Sequence, residues 1–236
     1  MLVFVSDVHI WGRNDPRIPL LCKFIENVDC EKIFFVGDIF DLFIGYPDNL
    51  KNEYIHVIRS LETKAKFSDL VFLEGNHDFH LSFDDTNIKT FQNFSFTYND
   101  KKFFITHGDD FTGEPLHLLF KRFLNSNFVG SVIHSSNGFF ISFGRALSAL
   151  SRKNNMKSSP YGKRRKILKN MISNSIKLFK KGYDFVIMGH CHIPTITRFE
   201  IDGREHLFVN PGFWGKSFGT YVTFQNNNFC IQKIRF

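Results

Sequence analysis

Ile33-Phe34-Phe35-Val36-Gly37-Asp38 is the stretch that decides the fold. Four apolar residues in a row read as a strand buried on both faces. Gly37 then frees the backbone, and a carboxylate sits where the strand stops. One such ending is weak evidence, because buried strands often end in Gly-Asp turns. The chain repeats the arrangement five times. Leu2-Val3-Phe4-Val5 runs into Ser6-Asp7-Val8-His9, and the Ile33 stretch runs into Asp38. Leu70-Val71-Phe72-Leu73 runs into Glu74 and then Gly75-Asn76-His77-Asp78. Phe103-Phe104-Ile105 leads to Thr106-His107-Gly108-Asp109, and Phe185-Val186-Ile187-Met188 leads to Gly189-His190-Cys191-His192. Strands that all deliver polar side chains at their carboxyl ends predict an α/β layer protein with its site along that edge.

The side chains so delivered are Asp7, Asp38, the amide of Asn76, and the imidazoles of His9, His107, His190 and His192. Seven oxygen and nitrogen donors are too many for one ion and suit two divalent ions sharing a carboxylate. Two such ions about 3.5–4 Å apart clamp the attacking and leaving oxygens of an in-line displacement at phosphorus. Mixed carboxylate and imidazole favours Mn²⁺, Fe²⁺ or Zn²⁺ over Ca²⁺, and Mn²⁺ is the ion expected. The lack of thiolates argues against a structural zinc site. In Asp7-x-His9 and His190-x-His192, residues two apart point the same way if the backbone is extended. Each member alone has a plainer reading: a histidine at a strand end is usually a hydrogen-bonded turn residue, and Gly-Asn-His-Asp is a common turn composition.

Asp7-x-His9, Gly37-Asp38-x-x-Asp41, Gly75-Asn76-His77-Asp78, Thr106-His107-Gly108-Asp109 and Gly189-His190-x-His192 together resemble the five-block signature of the calcineurin-like metallophosphoesterases. The resemblance runs from residue 2 to about residue 214. It implies a four-layer α/β/β/α sandwich with a helical lid insertion and a dinuclear centre. By that pattern Asp7, His9, Asp38 and His192 hold one metal. Asp38, Asn76, His107 and His190 hold the other, and Asp38 bridges them.

The chain has 236 residues, which predicts one domain, 1–236, with a core large enough to need no staples. Cys22, Cys30, Cys191 and Cys230 are scattered, which fits a reducing compartment. Cys191 reads as a packing residue rather than a ligand. The first strand starts at residue 2, which leaves no room for a signal peptide, and no run is long enough to span a bilayer. A cytoplasmic protein is expected. Helices are expected over 20–28 and 54–66, the latter with Ile55, Ile58, Leu61 and Glu62 at helical spacing. Residues 91–96 and 102–106 suggest a hairpin turning near Asn99-Asp100. Residues 220–224 and 229–234 suggest a closing hairpin across Asn226-Asn227-Asn228.

The segment 115–183 is too long for an ordinary crossover. It holds 14 Lys and Arg and no Asp or Glu, leaving 16 basic against 23 acidic residues elsewhere. The net charge of +7 therefore divides into +14 here and −7 in the rest. Leu116, Leu119, Phe120, Phe123 and Leu124 form one helical stripe, and Phe139, Phe140, Phe143, Leu147 and Leu150 a second. Leu168, Met171, Ile172, Ile176 and Phe179 form a third, expected to pack on the sheet as the crossover to the fifth strand. The first two stripes predict an inserted basic helical lid over 115–165. The plainer reading is a solvated basic face. The functional one is a cationic, apolar cap that rests on an anionic membrane surface and binds acyl chains.

Gly37 to Gly45, Asn76-His77-Asp78-Phe79, His107-Gly108-Asp109 and Gly189-His190-Cys191-His192-Ile193-Pro194 also resemble the UDP-2,3-diacylglucosamine pyrophosphohydrolases of lipid A biosynthesis. That resemblance implies a peripheral inner-membrane enzyme acting on a nucleotide-linked acylated sugar. The products would be UMP and 2,3-diacylglucosamine 1-phosphate. One departure is His77, where many members have Arg. On this reading His77 stabilises the transition state or protonates the leaving phosphate, with Asp78 orienting it. Asn76 and His77 would meet substrate, and Arg152 and Lys153 are the expected phosphate contacts from the lid. The rival enzyme reading is a phosphodiesterase acting on nucleotides or nucleic acid. Against it, the Phe residues fall on helical stripes rather than as isolated stacking platforms, and no stable nucleic-acid partner is expected. A non-enzymatic platform is disfavoured because all seven positions hold competent donors.

Overall fold

The computed structural model describes residues 1–44, 48–81, 83, 86–112 and 161–235. Its layers follow from the two-residue period of the strands. In β1 (Leu2–Val5), Leu2 and Phe4 point to one buried layer and Val3 and Val5 to another. The same alternation runs through β2 (Lys32–Val36) and β4 (Asp69–Leu73): Phe34, Val36, Val71 and Leu73 face inward, while Ile33, Phe35, Leu70 and Phe72 face the helices.

These strands are parallel neighbours in a six-stranded sheet. β6 (Ile88–Phe91) flanks β4, and β12 (Phe218–Gln225) and β13 (Asn228–Arg235) complete the other edge. The second sheet has the order β10 (Thr195–Ile201), β11 (Arg204–Asn210), β9 (Phe185–Met188), β8 (Lys101–Thr106), β7 (Asn93–Tyr98). Phe103, Ile105, Phe185, Ile187, Leu207 and Val209 meet the inward side chains of the first sheet. Each fully buried Phe or Leu in that layer contributes about 1.5–3 kcal/mol. A third, two-stranded sheet pairs β3 (Phe43–Ile44) with β5 (Asp78–Phe79).

Helices α1 (Ile18–Asn27) and α3 (Ile55–Lys64) cover the outer face of the first sheet through Leu21, Phe24, Ile25, Val57, Ile58 and Leu61. A short helix, α2 (Asp48–Glu53), precedes α3. The outer face of the second sheet, Val186, Met188 and Phe208, is covered by α4 (Tyr161–Phe179) through Met171, Leu178 and Phe179. The α/β/β/α order expected from the sequence is therefore present.

Three hairpins turn on two-residue loops with both central residues at positive φ: Asn99-Asp100, Asp202-Gly203 and Asn226-Asn227. Asn, Asp and Gly tolerate that conformation best. The first and third were expected. The second, with all of β10, was not. Phe91 lies in β6 of the first sheet, so the expected strand over 91–96 is divided between two sheets. Helix α3 buries Val57 and Lys64 where the sequence stripe pointed to Ile55 and Glu62. The Lys64 ammonium meets the Val28 carbonyl, which lets its stem be buried.

Most of the expected lid, with both of its apolar stripes and with Arg152 and Lys153, lies outside the described residues. Residues 161–165 of that expected span form the first turn of α4. The third stripe is confirmed as the helix crossing to β9. On the near side, a 3-10 turn at Asp109–Phe111 follows β8. Asn170 and Asn174 of α4 donate to the carbonyls of Thr112 (2.7 Å) and Phe111 (3.2 Å). Helix α4 is thus tied to the turn that follows β8, a few residues beyond His107. Among the described residues no helix is long and apolar enough to cross a membrane.

Candidate metal centre

The strand ends β1, β2, β4, β8 and β9 converge between the two sheets, and the convergence requires unusual backbone. Asp7, His9, Asp38, His190 and His192 all have positive φ, between 51° and 65°. For non-glycine residues such conformations cost about 1–3 kcal/mol each and persist only when the surroundings fix them. The fixing contacts are visible. Asp7 and His9 donate backbone N–H to the carbonyls of Gly37 (3.1 Å) and Asp38 (2.9 Å), so the loops after β1 and β2 run side by side. His190 N–H donates to the Asp7 carboxylate (2.9 Å to Oδ2), and His77 N–H donates to Asp38 Oδ1 (2.9 Å).

Two donor clusters result. Asp7, His9 and His192 have ligand atoms within 4.8 Å of one another, and so do Asp38, His107 and His190. In the first, His192 Nε2 lies 3.1 Å from Asp7 Oδ1 and 3.2 Å from His9 Nε2. In the second, His107 Nε2 lies 3.3 Å from Asp38 Oδ2 and 3.2 Å from His190 Nδ1. Asp38 Oδ2 is also 3.8 Å from His9 Nε2, so this carboxylate stands between the clusters. A third group, His9, Asp41 and His77, overlaps the first through His9.

The positive φ values decide the two-apart spacing. His190 and His192 would point the same way only from an extended backbone, but each adopts a left-handed conformation. His190 turns to the Asp38 cluster and His192 to the Asp7 cluster. Asp7 and His9 do share a cluster, again through left-handed backbone rather than an extended pair.

Electrostatics prepares the donors. Burial works to raise Asp7 and Asp38, yet the imidazoles of His192 and His107 beside them hold both below the ordinary carboxylate range. Burial holds His9 and His190 down to about 3, with His77 and His192 adding to the first and His107 to the second. Both are then neutral imidazoles with a lone pair to give. Burial opposes protonation of His107, but the carboxylates of Asp38, Asp7 and Asp109 together raise the group.

The donor set fits divalent ions. The side-chain oxygen of Asn76 is buried without a hydrogen-bond partner. A buried acceptor left so is costly, and a cation satisfies it. Two pairs of imidazole nitrogens facing each other at 3.2 Å, beside two ionised carboxylates, are likewise a set that a cation brings into register. The resemblance implied Asn76 as a ligand of the second ion, and this partnerless oxygen is compatible with that part.

His77 and Asp78 part company. The Asp78 side chain is fully buried. Its Oδ1 accepts from the amides of Asp38 (2.8 Å) and Gly75 (2.9 Å), and its Oδ2 from those of Ile39 (2.6 Å) and Phe40 (3.2 Å). Burial and the Asp38 charge push it up to about 8, while the amides of Asp38 and Phe40 pull it back. Its role is to hold the Asp38 loop. The expectation that Asp78 orients His77 is corrected: both its oxygens are already taken. His77 Nδ1 instead donates to the Asp41 carbonyl at 2.8 Å, with the Asp41 carboxylate 4.0 Å away. Burial opposes protonation of His77, and Asp38 and Asp41 raise it overall.

Three supports were not read from the sequence as part of the site. The Arg17 guanidinium grips the buried Asp15 carboxylate with two nitrogens (2.9 and 2.6 Å). It also donates to the carbonyls of Val8, His9 and Trp214. This fixes the loop that carries His9. Asn210 is fully buried, donates to the Gly189 carbonyl at 2.6 Å and accepts from the Gly212 amide at 2.8 Å. It braces the loop of His190 and His192. Asn210-Pro211-Gly212 was visible as a strand ending, but nothing local showed what it holds. Asp41, in the Gly37-Asp38-x-x-Asp41 block, had a signal in its spacing and no assigned partner. Cys191 is buried and accepts from Asn210 Nδ2 at 3.1 Å, and burial pushes its thiol up to about 12. It packs and does not ligate.

Comparison with known proteins agrees with this geometry. The chain is 22% identical over 239 residues to a UDP-2,3-diacylglucosamine hydrolase of Blochmanniella pennsylvanica, covering 96% of this chain and 93% of that protein. It is 24% identical to the enzyme of the same name from Coxiella burnetii, covering 99% and 97%. Among solved structures it is similar to Yfce, a phosphoesterase from E. coli, at 17% identity and TM-score 0.47, covering 99% and 98%. Residues 1–208 match the family model described as calcineurin-like phosphoesterase. With that match over most of the chain, a two-sheet α/β sandwich and clustered Asp and His side chains able to chelate metal, the chain belongs to the calcineurin-like phosphoesterase family.

Proposed function

We propose that the protein hydrolyses the pyrophosphate of UDP-2,3-diacylglucosamine, giving UMP and 2,3-diacylglucosamine 1-phosphate at a membrane surface. The observation that carries this reading is end-to-end similarity to hydrolases of that name, which spans the metal edge and the insertion alike. Two divalent ions, Mn²⁺ in the first instance, would be held by Asp7, His9, Asp38 and His192 and by Asp38, Asn76, His107 and His190. They would supply Lewis-acid charge and an activated water.

The chain's own residues do the rest. The side chains of His9, His77 and His192 are 22%, 31% and 23% exposed, whereas His107 is 1% exposed. Substrate therefore enters over the first three. His77 stands edge-on to His9, ring centroids 5.0 Å apart. Its Nδ1–H is spent on the Asp41 carbonyl, which leaves Nε2 to give a hydrogen bond or a proton to a phosphoryl oxygen. Asp78 acts on substrate only through the Asp38 loop.

The insertion supplies the cationic and apolar surface for acyl chains and anionic lipid. Arg152 and Lys153 are its proposed phosphate contacts. A cytoplasmic location at the inner membrane follows from that substrate.

The test offers purified protein and Mn²⁺ the acylated substrate, with a UDP-sugar lacking acyl chains as control, and follows UMP release. Release from the acylated substrate alone is expected. Equal turnover of both, or cleavage of oligonucleotides in preference, would replace the reading with a nucleotide or nucleic-acid phosphodiesterase.

A further inference from the structure

The two donor clusters are braced differently. A metal-ligating imidazole usually donates its far ring N–H to a carbonyl or carboxylate, which fixes the ring. His107 does this: its Nδ1 is 2.9 Å from the Val36 carbonyl. His192 does not. Among the described residues no hydrogen bond reaches its Nδ1. Its ring is instead stacked on Phe213, centroids 5.7 Å apart and planes 15° apart.

Phe213 is itself held. Its N–H donates to Thr220 Oγ1 (3.0 Å), and its carbonyl accepts from the Thr220 amide (3.1 Å). Phe218 meets it edge-on at 5.5 Å, and the Lys233 ammonium sits 4.2 Å over the Phe218 ring. Thr220 and Lys233 are paired across β12 and β13. The segment leading into this hairpin thus presents a ring face to His192, whose Nδ1 has no hydrogen bond among the described residues.

We propose that Phe213 is the positioning residue for His192 and that the ion of the Asp7–His9–His192 cluster is the more loosely held of the two. The inference rests on the two-ion reading above. Stacking fixes the tilt of the imidazole without fixing its rotation in the ring plane, so it orients less strictly than a hydrogen bond. In the Asp38–His107–His190 cluster, the fully buried His107 has the stricter brace.

The experiment titrates Mn²⁺ into chelator-stripped full-length protein, wild type, Phe213→Leu and Phe213→Tyr. Calorimetry gives each Kd, and electron paramagnetic resonance gives the spin-coupled two-manganese signal. Wild type should bind two ions of unequal affinity. Phe213→Leu keeps an apolar side chain and loses the ring. It should weaken the looser site about 10-fold and lose the coupled signal at sub-saturating metal, with the tighter site and the melting temperature of the metal-free protein unchanged. Phe213→Tyr should restore both readouts. Wild type with two ions and Phe213→Leu indistinguishable from it would overturn this inference alone. So would equal weakening of both sites or a general loss of stability in Phe213→Leu. Wild type that takes up fewer than two ions would overturn the two-ion reading and this inference together.

Discussion

His77 and Asp78 are adjacent in the chain and serve different masters. Asp78 accepts four backbone amides at the foot of the Asp38 loop. Removing it leaves those amides buried and unpaired, at about 1–3 kcal/mol each. Asp78→Ala is therefore expected to lower unfolding free energy by about 3 kcal/mol or more in urea titration and to lose metal with it. His77→Ala should leave stability and metal content intact and slow turnover about 10²–10⁴-fold. Elemental analysis beside steady-state rates checks both halves of that statement. Gly75 shows the same interlock from the other side. A Cβ there would overlap the Asp38 carboxylate and lie 2.6 Å from the Asp38 backbone nitrogen. Gly75→Ala should displace Asp38 and abolish binding of both ions, whereas Gly182, with open space around it, should tolerate Ala for metal binding.

Among elements, the strands were the legible part and the loops beyond them were not. Runs such as Leu2-Val3-Phe4-Val5 declare burial by composition, and Asn99-Asp100 and Asn226-Asn227 declare tight turns by their tolerance of positive φ. β10 escaped notice because Thr195–Ile201 carries half-exposed, mixed side chains and no apolar run. The loop from Trp11 to Arg17 is rich in turn residues, and it contains the Asp15–Arg17 pair whose guanidinium clamps three carbonyls. Removing one partner of a buried pair costs about 3–5 kcal/mol. Arg17→Met should destabilise the fold by that order in a denaturant titration. It should also raise hydrogen exchange at His9, because the carbonyls that restrain its loop lose their donor.

At the scale of the whole molecule, a metal-dependent phosphoesterase is assembled from two sheets that each supply part of the donor set. β1, β2 and β4 bring Asp7, His9, Asp38 and Asn76, and β8 and β9 bring His107, His190 and His192. Ions held by these donors would link the two sheets. Because they bind the folded state, they should stabilise it by mass action, about 2.7 kcal/mol for each site at free metal 100-fold above its Kd. Chelation should lower the melting temperature, and added Mn²⁺ should restore it. The charge partition gives a second expectation: with +14 carried by 115–183, binding to anionic vesicles should weaken steeply as salt rises.

The sequence by itself determined the donors and their place at the ends of buried strands. Apolar runs, glycines and turn residues report local backbone and burial, and these are local properties. The family resemblance already divided the donors between two ions, and the tertiary structure decided the contacts that hold them there. It split the five strand ends three and two between sheets and set the left-handed backbone from which His190 and His192 reach different clusters. It also gave His77 to Asp41 and Asp78 to the Asp38 loop. Those pairings join residues far apart in the chain through left-handed backbone that only the packed sheets hold in place. No pattern along the chain encodes them, because the free energy that fixes them comes from contacts between loops and not within them.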